Sequence, residues 1–235
     1  MIEKNKKPYQ AIVFDVDSTL VQIEGLDWLA SQKSLGEEME RLTRLSMEGE
    51  ISFNEAMIAK MNAIAPSFGD LEKLGEAYCN NLSPGVEEVV QALKVLDKEV
   101  WILTGNFNPA VGILARHLGI KKKHVICNKV FHSEGGEYTG FDSKGPLSNN
   151  GGKAEAIKKV TKNSSVRTVY IGDSVTDLEA RDEVDLFVGY GGAVVREKVK
   201  KEADIYLGGR DFCELLSFIL TKEEQERLSR KEWKN

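Results

Sequence analysis

The acidic residues of this chain cluster where chemistry could use them. Asp15 and Asp17 follow the apolar run AIVF at 11–14, and Asp173 and Asp177 follow TVYI at 168–171. Two carboxylates about 4 Å apart repel by roughly 4 kcal/mol at an effective dielectric near 20. Such a pair at the end of a buried strand needs an offsetting charge. Thr104, Gly105 and Asn106 come directly after a further run, VWIL at 100–103, and Lys153 follows two glycines in the first turn of a helical stretch. Clustered carboxylates suit a hard cation, and Mg²⁺ takes oxygen ligands while leaving positions for phosphate oxygens. A lysine and a hydroxyl opposite would hold the remaining phosphoryl oxygens. One aspartate can then attack phosphorus while its neighbour acts as general acid and then base.

The elements that must position these residues alternate along the chain. Short β-branched runs recur at AIVF, VWIL, TVYIG, LFVG (186–189) and DIYL (204–207). In SPGVEEVVQALKVL the residues Val86, Val89, Val90, Leu93 and Leu96 share a helical face, with Ser83 as expected N-cap and Pro84 in the first position. NPAVGILARHLG follows the same logic, opened by Asn108 and Pro109 and closed by Gly119. Alternating strand and helix predict a Rossmann-like α/β core, a parallel sheet covered on both faces in three layers. Ligands of such sheets bind beyond the carboxyl ends of the strands. The acids, Thr104 and Lys153 all fall at that edge.

From about Ile23 to Asn81 the alternation stops and only helical periodicity remains, with a capping box at Ser52 and Glu55. The spacing predicts a small helical-bundle insert at 23–81, set into a core made of 1–22 and 82–220. VFHSEGGEYTGF reads as a β-hairpin insert at about 128–142, turning at Gly135 and Gly136. Residues 221–235 form a charged C-terminal tail.

Composition narrows the function. The chain has 235 residues, 41% of them hydrophobic, so it can bury a sizeable core. Its net charge is −5 and its basic residues are scattered apart from Lys121 to Lys123, which argues against nucleic acid as a partner. MIEKNKKPYQ has no apolar leader core, and no apolar run reaches the length of a membrane span, so no membrane partner is expected. Cys79, Cys127 and Cys213 lack CxxC pairing and read as reduced thiols of a cytoplasmic protein. Monomer and homodimer are both compatible with the sequence.

DVDST at 15–19, Thr104-Gly105 after a hydrophobic strand, Lys153, and GDSVTD at 172–177 together resemble the four motifs of the haloacid dehalogenase superfamily. DSTLVQIEGLDWLA, LTRLSMEGEISF, GEYTGF, NNGGKAEAI and VGYGGAVV extend the likeness to phosphoserine phosphatases over nearly the whole chain. The resemblance implies Asp15 as nucleophile and Mg²⁺ ligand. It implies Asp17 as acid/base with its backbone carbonyl on the metal, and Asp173 as a further ligand with Asp177 in support. Thr104, Gly105, Lys153 and Thr176 would bind the phosphoryl group. Glu24 would receive the substrate amino group, and the helical cap would close over a small phosphorylated metabolite, O-phospho-L-serine above all. Lys60 stands where the family carries an arginine for the substrate carboxylate, and it lacks the bidentate fork. Asn106 replaces a glycine of the family's Ser-Gly-Gly, and Glu48 a small residue between Met47 and Gly49.

Other readings compete. The same chemistry could serve another small phosphomonoester, such as a phosphoamino alcohol or a sugar acid phosphate. Phospho-sensing receiver modules also gather acids, a hydroxyl and a lysine, but place the phosphorylated aspartate after a central strand and carry no cap. A binding-only relative is the remaining alternative. The glycines of VGYGGAVV match no nucleotide fingerprint, and His117, His124 and His132 lack metal-ligand spacing.

Overall fold

The computed structural model describes residues 7–162 and 166–230. Residues 1–6, 163–165 and 231–235, including parts of the N-terminal segment and of the charged tail, lie outside the described residues. The strands are β1 (Ala11–Phe14), β2 (Glu99–Asn108), β3 (Val125–His132), β4 (Tyr138–Phe141), β5 (Thr168–Gly172), β6 (Leu186–Tyr190) and β7 (Ile205–Leu207). They form one sheet in the order β4-β3-β2-β1-β5-β6-β7, parallel except for the antiparallel β3–β4 pair. Register places Phe14 opposite both Ile102 and Ile171, so β1, β2 and β5 bring their carboxyl ends to one edge. The hairpin around Gly135 and Gly136 is β3 with β4, and it widens this sheet.

The helices are α1 (Gly25–Ser31), α2 (Gly36–Met47), α3 (Phe53–Ile64), α4 (Phe68–Asn80), α5 (Val86–Val95), α6 (Ala110–His117), α7 (Gly152–Thr161), α8 (Val175–Leu178), α9 (Glu197–Glu202), α10 (Glu214–Ile219) and α11 (Lys222–Arg230). Side-chain alternation along each strand divides the core. Ile12, Phe14, Ile102 and Val188 pack with Val89 and Leu93 of α5, Leu114 of α6 and Leu215 of α10. Ala11, Val13, Leu103, Tyr170 and Phe187 pack with Ile157 and Val160 of α7 and Val199 of α9. Three layers result, the expected α/β architecture.

Helices α1 to α4 stand at the β1 side of the carboxyl edge, and their apolar faces, including Leu29, Met61, Ile64 and Leu74, continue the first of these cores. Ser52 and Glu55 form the capping box that opens α3. Gly75 lets α4 lie close on α6, since a Cβ there would sit 2.7 Å from Ile113 Cδ1. One helix start differs from the sequence reading. Helix α5 begins at Val86 with Gly85 (φ 86°) before it, rather than at Pro84. Ser83 does not cap it; its Oγ donates to the Thr19 carbonyl at 2.8 Å. That long-range bond outcompetes the local one.

Candidate active site

Asp15 directly follows β1, and its backbone N–H donates to the Ile171 carbonyl at 2.9 Å. The chain then turns sharply through Ser18, whose left-handed φ of 51° is uncommon for a residue with a side chain. The turn is held by Ser18 Oγ donating to Glu24 Oε1 at 2.7 Å. It brings Asp17 beside the start of α1.

Lys153, in the first turn of α7, is buried with Nζ 3.0 Å from Asp15 Oδ1 and 2.6 Å from Asp177 Oδ1. The ammonium is aimed at Asp177, so Asp15 Oδ1 has an opposite charge close by but no aligned hydrogen bond. Asp177 also accepts from the Tyr170 hydroxyl and from Ser174 Oγ at 2.6 Å, with Ser174 forming a capping box at α8. Asp173 accepts from Arg196 Nε at 2.8 Å and from Thr19 Oγ1 at 3.4 Å. Asp17 faces elsewhere. Its Oδ2 accepts from Gly25 N–H (2.8 Å) and Asn106 Nδ2 (2.7 Å), and its Oδ1 from the Tyr78 hydroxyl (2.9 Å).

The electrostatics follow from burial. Desolvation, then the charge of Asp177, pushes the Asp15 carboxyl well above the usual carboxylate range against the pull of Lys153. Asp17 is pushed up to about 7 by burial and Glu24, despite its three hydrogen bonds. Asp173 is pushed up to about 6 by burial and Asp177, with Arg196 opposing. Burial acts the same way on Asp177, but Lys153 outweighs it and holds that carboxyl below its ordinary value. Burial depresses the Lys153 ammonium, yet Asp15 and Asp177 together raise it above the usual lysine value.

Carboxylate oxygens of Asp15, Asp173 and Asp177 lie within 4.8 Å of one another. Three buried acids thus share one buried lysine and one half-buried arginine, and the two raised carboxyls report the shortage of positive charge. An all-oxygen set short of positive charge fits a hard divalent cation.

The predicted residues converge on one cavity of about 510 Å³. Asp15, Asp17, Glu24, Lys60, Thr104, Gly105, Asn106, Lys153, Asp173 and Thr176 line it. Asp177 lies beneath, fully buried. Lys60 reaches in from α3 and donates to Thr43 Oγ1 of α2 at 2.7 Å, and its burial lowers the ammonium's pKa. None of the three histidines lines this cavity.

These positions match a known pattern of chains. A family model for haloacid dehalogenase-like hydrolases matches residues 12–181. The chain belongs to that family. Its relatives within this family include phosphoserine phosphatases. That of Bos taurus is 35% identical over 210 residues, spanning 89% of this chain and 92% of the bovine protein. That of Drosophila melanogaster is 37% identical over 209 residues, 88% of this chain and 77% of the fly protein. A phosphoserine phosphohydrolase-like protein of Francisella tularensis superimposes with a TM-score of 0.76 at 29% identity, covering 90% of this chain and 100% of that one. As a haloacid dehalogenase-like hydrolase of this group, the chain is a phosphoric monoester hydrolase.

Four participants escape the sequence patterns. Arg196 bridges Asp173 and, through NH2 at 3.3 Å, Glu24 Oε1. It directly follows the VGYGGAVV stretch, so position offered a hint. Ser18 sat inside DVDST with no assigned role. Tyr78 and Tyr170 look like ordinary aromatic core residues, and only the fold turns their hydroxyls towards Asp17 and Asp177.

Proposed function

We propose that the enzyme hydrolyses O-phospho-L-serine to L-serine and phosphate through an aspartyl-phosphate on Asp15. The carrying observation is the Asp15 carboxylate, set against Lys153 at the floor of the cavity with an oxygen free of any aligned hydrogen bond. Asp15 attacks phosphorus, and Asp17 protonates the departing serine oxygen. Asp17 then takes a proton from the water that cleaves the phosphoenzyme. Lys153 and Thr104, with Gly105 and Thr176, hold the phosphoryl oxygens. Lys153 also fixes Asp177 by its 2.6 Å bond. Glu24 receives the substrate ammonium and Lys60 its carboxylate, with Asn106 beside them.

Asp15, Asp173 and the Asp17 backbone carbonyl would hold Mg²⁺, with Asp177 in support. When bound, Mg²⁺ would neutralise these acids and the phosphoryl charge. We read residues 1–22 and 82–220 as the catalytic core, 23–81 as a cap and 221–235 as a tail. Among the described residues the cysteines form no disulfide, which supports a cytoplasmic setting. No helix among them is long and apolar enough to cross a membrane.

Lys60 favours a second reading, because a single point charge discriminates a substrate carboxylate less sharply than a guanidinium fork. A phosphoamino alcohol then becomes a competing substrate. Phosphate release from a panel of small phosphomonoesters, with and without Mg²⁺, separates the two. Preference for O-phospho-L-serine supports the first reading, and preference for O-phosphoethanolamine overturns it.

A further inference from the structure

The surroundings of Asp17 differ from those of every other acid in the cavity. Its three partners are all donors, and they come from three separate parts of the chain. Gly25 N–H opens α1, Tyr78 belongs to the last full turn of α4, and Asn106 lies near the end of β2. A carboxylate offers about four lone-pair positions, two on each oxygen. Oδ2 has both filled, by Gly25 N–H and Asn106 Nδ2. Oδ1 has one filled, by the Tyr78 hydroxyl, and one open.

We propose that Tyr78 and Asn106 are positioning residues that assign the transferable proton to Oδ1 of Asp17. The assignment rests on the acid/base role given to Asp17 above. It satisfies every donor in both states. With Oδ1 protonated, its remaining lone pair still accepts from Tyr78, while Oδ2 keeps both of its donors. In the first step the Asp15 oxygen bonds to phosphorus and the bond from phosphorus to the serine oxygen breaks. That electron pair passes to the serine oxygen, which takes the proton from Oδ1. In the second step water bonds to phosphorus, its proton passes to Oδ1, and the Asp15–phosphorus bond breaks.

Two further observations support a built clamp. Tyr78 is fully buried, and its phenol meets no acid at closer range than Asp17. A Cβ on Gly25 would fall 2.1 Å from the Tyr78 hydroxyl and 2.7 Å from Asn106 Oδ1, so the clamp closes only over a glycine.

The test uses leaving groups. An alkyl phosphate such as O-phospho-L-serine needs protonation as it departs, whereas p-nitrophenyl phosphate leaves as a stable phenolate. kcat/KM reports formation of the phosphoenzyme and isolates that step. Asp17→Asn calibrates the assay, with a large loss for O-phospho-L-serine and a small one for p-nitrophenyl phosphate. Tyr78→Phe and Asn106→Gly are expected to lose about 10- to 100-fold on the alkyl ester, on ethyl phosphate with no head group as well as on O-phospho-L-serine, and under about 3-fold on the aryl ester, since a positioned acid contributes about 10²–10⁴ overall. A merely structural role would lower both substrates alike, and that result overturns the positioning role. If Asp17→Asn itself shows no leaving-group dependence, the acid/base role fails first and the clamp with it. Thermal melts of both variants verify folding. Two chemically different changes keep the test open if one of them unfolds.

Discussion

Lys153→Met separates electrostatics from packing most directly, because methionine keeps an unbranched apolar stem one atom shorter and removes the charge and donors. Nζ lies 3.0 Å from Asp15 and 2.6 Å from Asp177. At an effective dielectric of 20 those separations correspond to about 5 to 6 kcal/mol of gross attraction each. Desolvation of the ions offsets most of it. Removing one partner of a buried pair leaves an uncompensated charge and typically costs about 3–5 kcal/mol. With a urea m-value of about 3 kcal/mol/M, the unfolding midpoint of the metal-free protein at pH 8 falls by about 1–1.7 M. The loss shrinks as pH falls. Without the ammonium, the Asp15 carboxyl rises further above its unfolded value and the Asp177 carboxyl loses the charge that holds it below its own. The folded variant then takes up protons and regains stability as pH drops from 8 towards 5. Urea denaturation of both proteins at pH 8 and pH 5.5 measures this. A penalty independent of pH would refute the electrostatic account and leave lost packing as the cause.

Asp15→Asn is expected to abolish turnover while leaving the circular dichroism melt at or above that of the wild type, because it removes a buried acid whose ionisation is disfavoured. Mg²⁺ binding, measured by calorimetry, is expected to strengthen as pH rises through about 6, where the Asp173 carboxyl releases its proton; Arg196→Ala removes a cation that favours that release and shifts the midpoint upward. Lys60→Met is expected to raise KM for O-phospho-L-serine by about tenfold, the loss of one charge-assisted contact, with little change for p-nitrophenyl phosphate. Lys60→Arg is expected to lower KM for the same ester, and steady-state kinetics checks both.

The order of strands and helices was legible because each element carries its own local signal. AIVF and TVYIG coincide with β1 and β5 to the residue, and Ser52 with Glu55 marks the start of α3. The core site residues were legible because their motifs lie at or just beyond the carboxyl ends of strands, where the sheet's topology alone decides that they meet; Thr104 to Asn106, expected after a strand, fall inside β2, which runs on to Asn108. Ser83 was misread because its competing partner, the Thr19 carbonyl, is 64 residues away. Arg196, Tyr78 and Tyr170 were missed for the same reason. Each acts through one polar tip on a side chain whose sequence neighbours are apolar or surface residues. Glu24 and Lys60 do line the cavity, but helices α1 to α3 carry so many solvated charges that position alone could not single them out.

The two strands of chain that enter and leave α1–α4 run side by side. Val21 bridges Leu82 in antiparallel fashion, Gln22 N–H donates to the Asn81 carbonyl at 2.8 Å, and Ser83 N–H to the Leu20 carbonyl at 2.9 Å. An insertion whose ends are stitched together in this way leaves the path of the sheet undisturbed. Its helices lean back on the core, α4 against α6 and Phe68 N–H on the Gly136 carbonyl at 2.8 Å, and can be replaced without re-threading the sheet. Selection of the ester to be cleaved and the act of cleaving it can therefore diverge independently, with Asp17 as the place where the two halves shake hands.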